Sequence, residues 1–335
     1  MSPLLHMLPP RIFSSFLVAF CIAFFGMGVH AHATTISPAR IEVAGDPGTV
    51  LKGTVTLIND QANTQTFYAS YENFSAQGDN GTPVFSAEKK GLDTWILATP
   101  DQVTVPAGKS VEVPYTITIP SNAVPGGYFA ALFWSTVPPV TLPTQQLSIG
   151  AKIGSLVLLR VNGDIAESGG ATSFERSDHG FFYTELPVAM NYIFQNSGAD
   201  RVMPKGAVTI RNTFFIKSTS INANASIGNV LPKSARQFSV AWAPTHNDQP
   251  AGFFQHVAYQ WHNFAFGLYS AHLSLAYGMQ GMQSTKTLWF FILPWQLLIC
   301  VAMVLAALYA IGKLLIVRYN QYIIRSTQPR NVDHS

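Results

Sequence analysis

Between Thr35 and Val161 apolar residues fall on alternate positions in short runs rich in Val, Ile, Thr and Tyr, punctuated by Gly, Pro, Asn and Asp. Period-two runs divided by turn residues are the pattern of half-buried strands, and several in succession predict a β-sandwich. The runs are Ile36–Val43, Thr49–Asn59, Thr66–Ala76, Gln102–Val105, Ser110–Ile119, Tyr128–Thr136 and Leu147–Val161. In the fifth, Val111, Val113, Tyr115, Ile117 and Ile119 occupy every second position, so they face a core while Glu112, Thr116 and Thr118 face water. Asn59-Asp60 and Pro125-Gly126-Gly127 read as turns.

A polar, glycine-containing stretch, Asn162–Gly170, then interrupts the rhythm, and a second set of runs follows. These are Gly180–Thr184, Pro187–Gln195, Gly206–Lys217, Ser234–Ala241, Phe254–Trp261 and Gly267–Ala276. The fold expected is all-β: two tandem immunoglobulin-like sandwiches, over 34–163 and 164–280, plus one C-terminal transmembrane helix. Two stretches break the pattern. Gln77–Asp93 is polar and glycine-rich and Val137–Gln146 carries three prolines, so both are expected to be long surface loops. Long loops are where recognition concentrates, which makes Asp79, Asn80, Lys89, Lys90, Pro138 and Pro139 the candidate ligand-contacting residues.

The two ends predict the compartment. A basic start with Arg11, an apolar run from Ile12 to Val29 and then Ala31-His32-Ala33 compose a signal peptide over 1–33. Near the other end, Leu288–Ile311 is uncharged and long enough to cross a bilayer as a helix. Lys313, Arg318, Arg325 and Arg330 follow it, and basic flanks stay in the cytoplasm. The expectation is a single-pass plasma-membrane protein with extracytoplasmic sandwiches and a cytoplasmic tail over 312–335. Its lipid contact would run through Leu288–Ile311.

Composition narrows the chemistry. The net charge is +3, but Thr34–Thr287 carries 15 Lys and Arg against 16 Asp and Glu. The exterior therefore lacks the clustered positive field that nucleic-acid binding needs. Both cysteines, Cys21 and Cys300, fall in the two apolar segments, so the sandwiches must be held by packing without disulfides. No G-x-S-x-G, S-x-x-K, P-loop or H-E-x-x-H occurs, and no catalytic residue, cofactor or metal ligand is assigned. His256 and His262, on one strand, would stand roughly 20 Å apart, too far for one metal ion. The aromatic run Phe253–Phe266 could be a sugar-stacking platform, an apron on the membrane interface, or core of a membrane-proximal strand pair.

Several phrases in order carry a family resemblance: ISPARIEV (Ile36–Val43), GTVTLIND (Gly53–Asp60), LDTWI (Leu92–Ile96), VTVPAGKSVEVPYTITIP (Val103–Pro120) and PGGYFAALFWS (Pro125–Ser135). They resemble the N-terminal peptidoglycan-binding domain of bacterial WxL-interacting proteins, and the resemblance implies that Trp95 and Tyr128 fill the sandwich core. NYIFQNSGADRVMPKGAVTIRN (Asn191–Asn212) and NVLPKSARQFSVAW (Asn229–Trp242) resemble the immunoglobulin-like second domain of that family. The opening segment is also similar to fimbrial chaperones of the PapD type. The resemblance implies a non-catalytic cell-envelope scaffold or adhesion protein whose partners are peptidoglycan or another wall polymer, and envelope or surface proteins. The alternative is a membrane-tethered assembly factor acting by β-strand addition, which requires an open sheet edge.

Overall fold

The computed structural model describes residues 34–86, 88–138, 151–214, 216–246 and 250–327. Two compact units emerge: 1–73, 87–123 and 129–159 compose the first, and 74–86, 124–128 and 160–335 the second.

The first sandwich is built from two sheets. One orders β1 (Thr34–Ser37), β3 (Val50–Asn59), β8 (Lys109–Thr118) and β6 (Ile96–Ala98) as β1-β3-β8-β6. The other comprises β2 (Arg40–Gly45), β10 (Lys152–Val161), β9 (Gly126–Ser135), β4 (Gln65–Gln77) and β5 (Thr82–Ser86), in the order β2-β10-β9-β4-β5, with β7 (Gln102–Val105) also on β4. The alternation expected of β8 is realised: Val113 and Ile117 are fully buried and Tyr115 nearly so, as are Val55 and Leu57 on the neighbouring β3 and Phe67, Trp134, Val157 and Leu159 of the other sheet. Trp95 and Tyr128 are only half-buried, which corrects the core expected of them. Trp134, near the end of β9 on its inward parity, is fully buried and fills that role. Trp95 ends the four-residue helix α1 (Leu92–Trp95) at the sandwich margin.

Gln77–Asp93 is not the long loop that its polarity suggests. Thr82–Ser86 is β5, closing a hairpin on β4 through a turn with Gly78 and Gly81 at positive φ, and Leu92 and Asp93 are buried in α1. The proline-rich segment is described only at Val137 and Pro138; the rest of Val137–Gln146, including Pro139, lies outside the described residues.

The second unit carries a three-stranded sheet, β11 (Gly169–Arg176), β13 (Val188–Asn196) and β16 (Ser234–Trp242), in the order β11-β13-β16. Against it packs a five-stranded sheet of β12 (Phe182–Tyr183), β18 (Met282–Ile292), β17 (Gly267–Tyr277), β14 (Lys205–Asn212) and β15 (Lys217–Asn222), ordered β12-β18-β17-β14-β15. Val188, Met190, Tyr192 and Phe194 meet Val208, Ile210, Leu273 and Phe290 in one core.

Two expectations are corrected here. Phe254–Trp261 is no strand: α2 (Phe253–His262) is a helix started by extended Gly252, with Tyr259 and Gln260 buried and Phe254 and Trp261 outward. Aromatic residues favour strands, but here they occur on every side, so the run has no period of two; the helix buries Tyr259, whose hydroxyl donates to Leu186 O at 3.0 Å. The apolar run at Leu288–Ile311 is not one helix either. Leu288, Phe290 and Ile292 are core residues of β18, paired with β17. Leu293-Pro294 ends the strand, and the long apolar helix is α3 (Trp295–Thr327), of which Trp295–Ile323 is long and apolar enough to cross a membrane. A buried strand flowing into an apolar helix reads as one unbroken run.

Candidate functional site

Hydrogen-bond parity along β10 defines the site. Ala151 turns its backbone toward β9: Thr136 N donates to Ala151 O at 3.0 Å, and Ala151 N donates to Thr136 Oγ1 at 3.1 Å. Successive residues of a strand alternate sides, so Lys152, Gly154 and Leu156 direct N–H and C=O to the opposite edge. Leu156 N is taken there by Ala39 O at 2.9 Å, and the neighbouring Ser155 Oγ donates to Pro38 O at 2.6 Å. From that point β2 runs alongside β10. Before it, the chain belongs to the other sheet, since Thr34–Ser37 pairs with Asn59–Thr56 of β3. The N–H and C=O of Lys152 and of Gly154 therefore point to the same edge as Leu156, on the N-terminal side of its bond to Ala39.

A groove of about 320 Å³ runs over the adjoining outer face of the sheet, lined by Tyr68, Ser70 and Glu72 of β4, Ser135 of β9, Lys152 of β10, and Val137 and Pro138. Lys152 pairs with Glu72, and its ammonium stands 4.0 Å above the centre of the Phe133 ring. That ring lies across Gly154, where an added Cβ would come within 2.5 Å of it. Gly154 is therefore required by the close approach of an aromatic ring to the strand backbone. The site offers an extended ladder edge, an aromatic floor, one fixed ion pair and several hydroxyls.

The other candidate residues do not converge on it. Lys89 Nζ donates to Tyr71 O and lies 3.7 Å from Asp93, and Lys90 pairs with Glu88 at 2.8 Å. Asn80 Oδ1 accepts from Thr82 N at 3.0 Å to shape the hairpin turn, while Asp79 O accepts from Gln237 N. Lys89, Lys90 and Asn80 are thus held within their own hairpin region and Asp79 is bonded to β16, while among the described candidates Pro138 borders the groove. Lys152, Glu72, Phe133 and Gly154 escaped the sequence reading, although a glycine inside a strand pattern is a signal of close backbone approach.

A second depression, of about 400 Å³, lies in the second unit between Met203, Pro204, Lys205, Asn222, Asn224 and Ile227. Its central polar group is already engaged: Asn224 donates to Pro204 O and Gly228 O and accepts from Gly228 N. His256, placed by α2, has Nδ1 3.0 Å from Glu185 Oε2, and His262 stacks toward His246 at 5.4 Å between ring centres. Among the described residues no three His, Cys, Asp or Glu side chains gather as a metal site.

No family model matches the chain, and no curated protein matches it. Solved structures do. The class 5 fimbriae chaperone CfaA is 16% identical with a TM-score of 0.36, over 78% of this chain and all of that one. The E. coli chaperone DraB is 12% identical with a TM-score of 0.32, over 78% of this chain and 97% of its own. A chain from a chaperone–tip adhesin complex of CFA/I fimbriae is 14% identical with a TM-score of 0.35, over 78% and 99%. At this distance the likeness is one of sandwich fold alone.

Proposed function

We propose that the protein is a membrane-tethered, non-catalytic binding factor that holds an extended segment of another exported protein by adding it as a strand to the leading edge of β10. The observation that carries this reading is the Lys152–Gly154 end of β10, which turns its backbone groups to the outer edge ahead of the Ala39–Leu156 bond and is flanked by the Tyr68–Lys152 groove. In strand addition main-chain hydrogen bonds supply affinity, and pockets for alternate side chains supply selectivity. The tether is α3, and Lys313 and Arg318 in its second half support an orientation with the sandwiches outside. Confinement to a thin layer at the membrane raises local concentration, so a weak edge contact suffices.

A wall-polymer scaffold is the second reading, favoured by the hydroxyl and carboxylate lining of the groove at Ser70, Ser135 and Glu72. One experiment separates the two. A photo-crosslinking amino acid is placed at Pro138, and as a control at Met279, in the full chain in its native membranes. Peptide adducts at Pro138 and none at Met279 support strand addition. Adducts digested by a muramidase support the scaffold, and the absence of any adduct removes the groove as a site.

A further inference from the structure

From Pro250 to Thr285 the chain contains no Lys, Arg, Asp or Glu, and this stretch includes α2 and its exit loop. Its aromatics are not hidden. Phe254, Trp261, Phe264 and Phe266, with Phe182 of β12 and Phe214 from the turn after β14, are between 49% and 79% exposed. Register puts them at one end of the second sandwich. Phe182 is paired with Phe291 of β18, Phe266 immediately precedes Gly267, which is paired with Ile292, and Phe214 follows Asn212, which is paired with Tyr269. Ring contacts join the patch: Phe182 to Phe291 at 5.8 Å, Phe266 to Phe291 at 6.3 Å, and Phe253 to Trp295 at 6.1 Å. A collar of exposed aromatics on a water-facing surface invites association, and its occupant follows from where it sits.

That end is also where α3 departs. Only Leu293 and Pro294 separate β18 from α3, and Leu293 N is itself bonded to Tyr183 O at 2.8 Å. Gln260 of α2 donates to Gln296 Oε1 at 2.5 Å and accepts from Leu297 N at 3.0 Å, so α2 is fastened to the first turn of α3. No slack linker can lift the collar from the level at which the apolar helix begins. Two packed helices lie about 8–10 Å apart, comparable with the depth of the headgroup layer on one side of a bilayer.

We infer that the aromatic collar is a lipid-docking surface: α2 and the flanking Phe182, Phe214, Phe264 and Phe266 rest in the interfacial layer of the bilayer that α3 crosses, seating the second sandwich directly on the membrane. Rings with an apolar body favour that layer, the lack of formal charge from Pro250 to Thr285 lowers the cost of desolvating ions there, and Glu185, the carboxylate beside α2, is engaged by His256. Docking of this kind depends on burial of rings, so it requires no anionic lipid. The inference rests on α3 being a membrane span, and the test keeps the two apart.

The full chain, with Cys21 and Cys300 replaced by Ala, is reconstituted in phosphatidylcholine nanodiscs as single-cysteine variants Phe254→Cys, Phe264→Cys, Met279→Cys and Leu305→Cys, each carrying an environment-sensitive fluorophore. Met279 stands at the far end of β17, about 35 Å along the strand, and Leu305 about 15 Å into α3. The expected result is a blue shift at positions 254 and 264, with several-fold stronger quenching by shallow nitroxide lipid than by aqueous iodide. Met279 should respond to iodide alone and Leu305 to deep nitroxide lipid. If 254 and 264 respond as Met279 does, or shift without lipid quenching while Leu305 is quenched by lipid, the collar does not dock on lipid. If Leu305 is open to iodide, α3 is no span and the inference falls with it.

Discussion

Gln260 and Gln296 share a hydrogen bond at 2.5 Å, and both side chains are buried, although one belongs to the sandwich's own helix and the other to the first turn of the apolar helix. The same Gln260 carboxamide accepts Leu297 N, so three polar groups are satisfied by one another in a place where water does not reach. This is what makes the junction rigid.

Gln260→Leu should therefore leave the Gln296 amide and the Leu297 N–H without their partner and destabilise the second unit by about 1–3 kcal/mol. Denaturant unfolding of the full chain in detergent measures it. Adding Gln296→Leu should recover part of the loss, because the orphaned amide goes too.

At the groove, Gly154→Ala should force the Phe133 ring off the strand, since the new Cβ would stand 2.5 Å from it. Overpacking of this kind costs about 1–3 kcal/mol. The pair Gly154→Ala with Phe133→Leu should be more stable than Gly154→Ala alone. An additive result in the double-mutant cycle would show that the ring does not depend on the glycine.

Buried asparagines pin equivalent turns in both sandwiches. Asn59 donates to Asn63 O and Val105 O at 2.9 Å each, and Asn196 donates to Asp200 O at 2.7 Å and Val230 O at 2.9 Å. Asn59→Ala and Asn196→Ala should each lower unfolding free energy by about 2–3 kcal/mol through orphaned carbonyls. Urea titration followed by Trp fluorescence reads both.

Burial holds the Tyr192, Tyr115 and Tyr269 phenols above their ordinary pKa; Tyr192 also donates to Ala223 O at 2.9 Å. A phenol freed by unfolding ionises near pH 10 while the folded one keeps its proton. Above that pH the unfolded state binds fewer protons, so stability should be whole below pH 10 and fall as pH rises beyond it. Tyr192→Phe should cost about 1 kcal/mol at pH 8, and its deficit should shrink above pH 10. Denaturation midpoints from pH 8 to 11 check the sign.

Much of the fold is legible in the residues. The alternation from Val111 to Ile119 specifies a strand and its inward face, and Asn59-Asp60 and Asn196-Ser197-Gly198 mark turns. Local pattern fails where the outcome depends on distant partners. Thr82–Ser86 becomes a strand only through β4, and Phe253–His262 is helical because Tyr259 and Gln260 find Leu186 and Gln296. Apolar Leu288–Ile292 is indistinguishable from a helix start until its pairing with β17 is known. The edge at Lys152–Gly154 is the least legible part, because it exists only where the chain leaves one sheet for the other between Ser37 and Arg40.

The central claim concerns that edge, and proline distinguishes backbone from side chain. Lys152→Pro and Lys152→Ala both remove the ion pair with Glu72, but only proline removes the N–H that an added strand would use, at a position where an edge tolerates it. The decisive measurement is the yield of peptide adduct from the crosslinker at Pro138 in each background. Strand addition requires the proline variant to lose about tenfold or more while the alanine variant keeps most of its yield. Equal yields from the two would contradict it and assign whatever binding occurs to the groove's side chains.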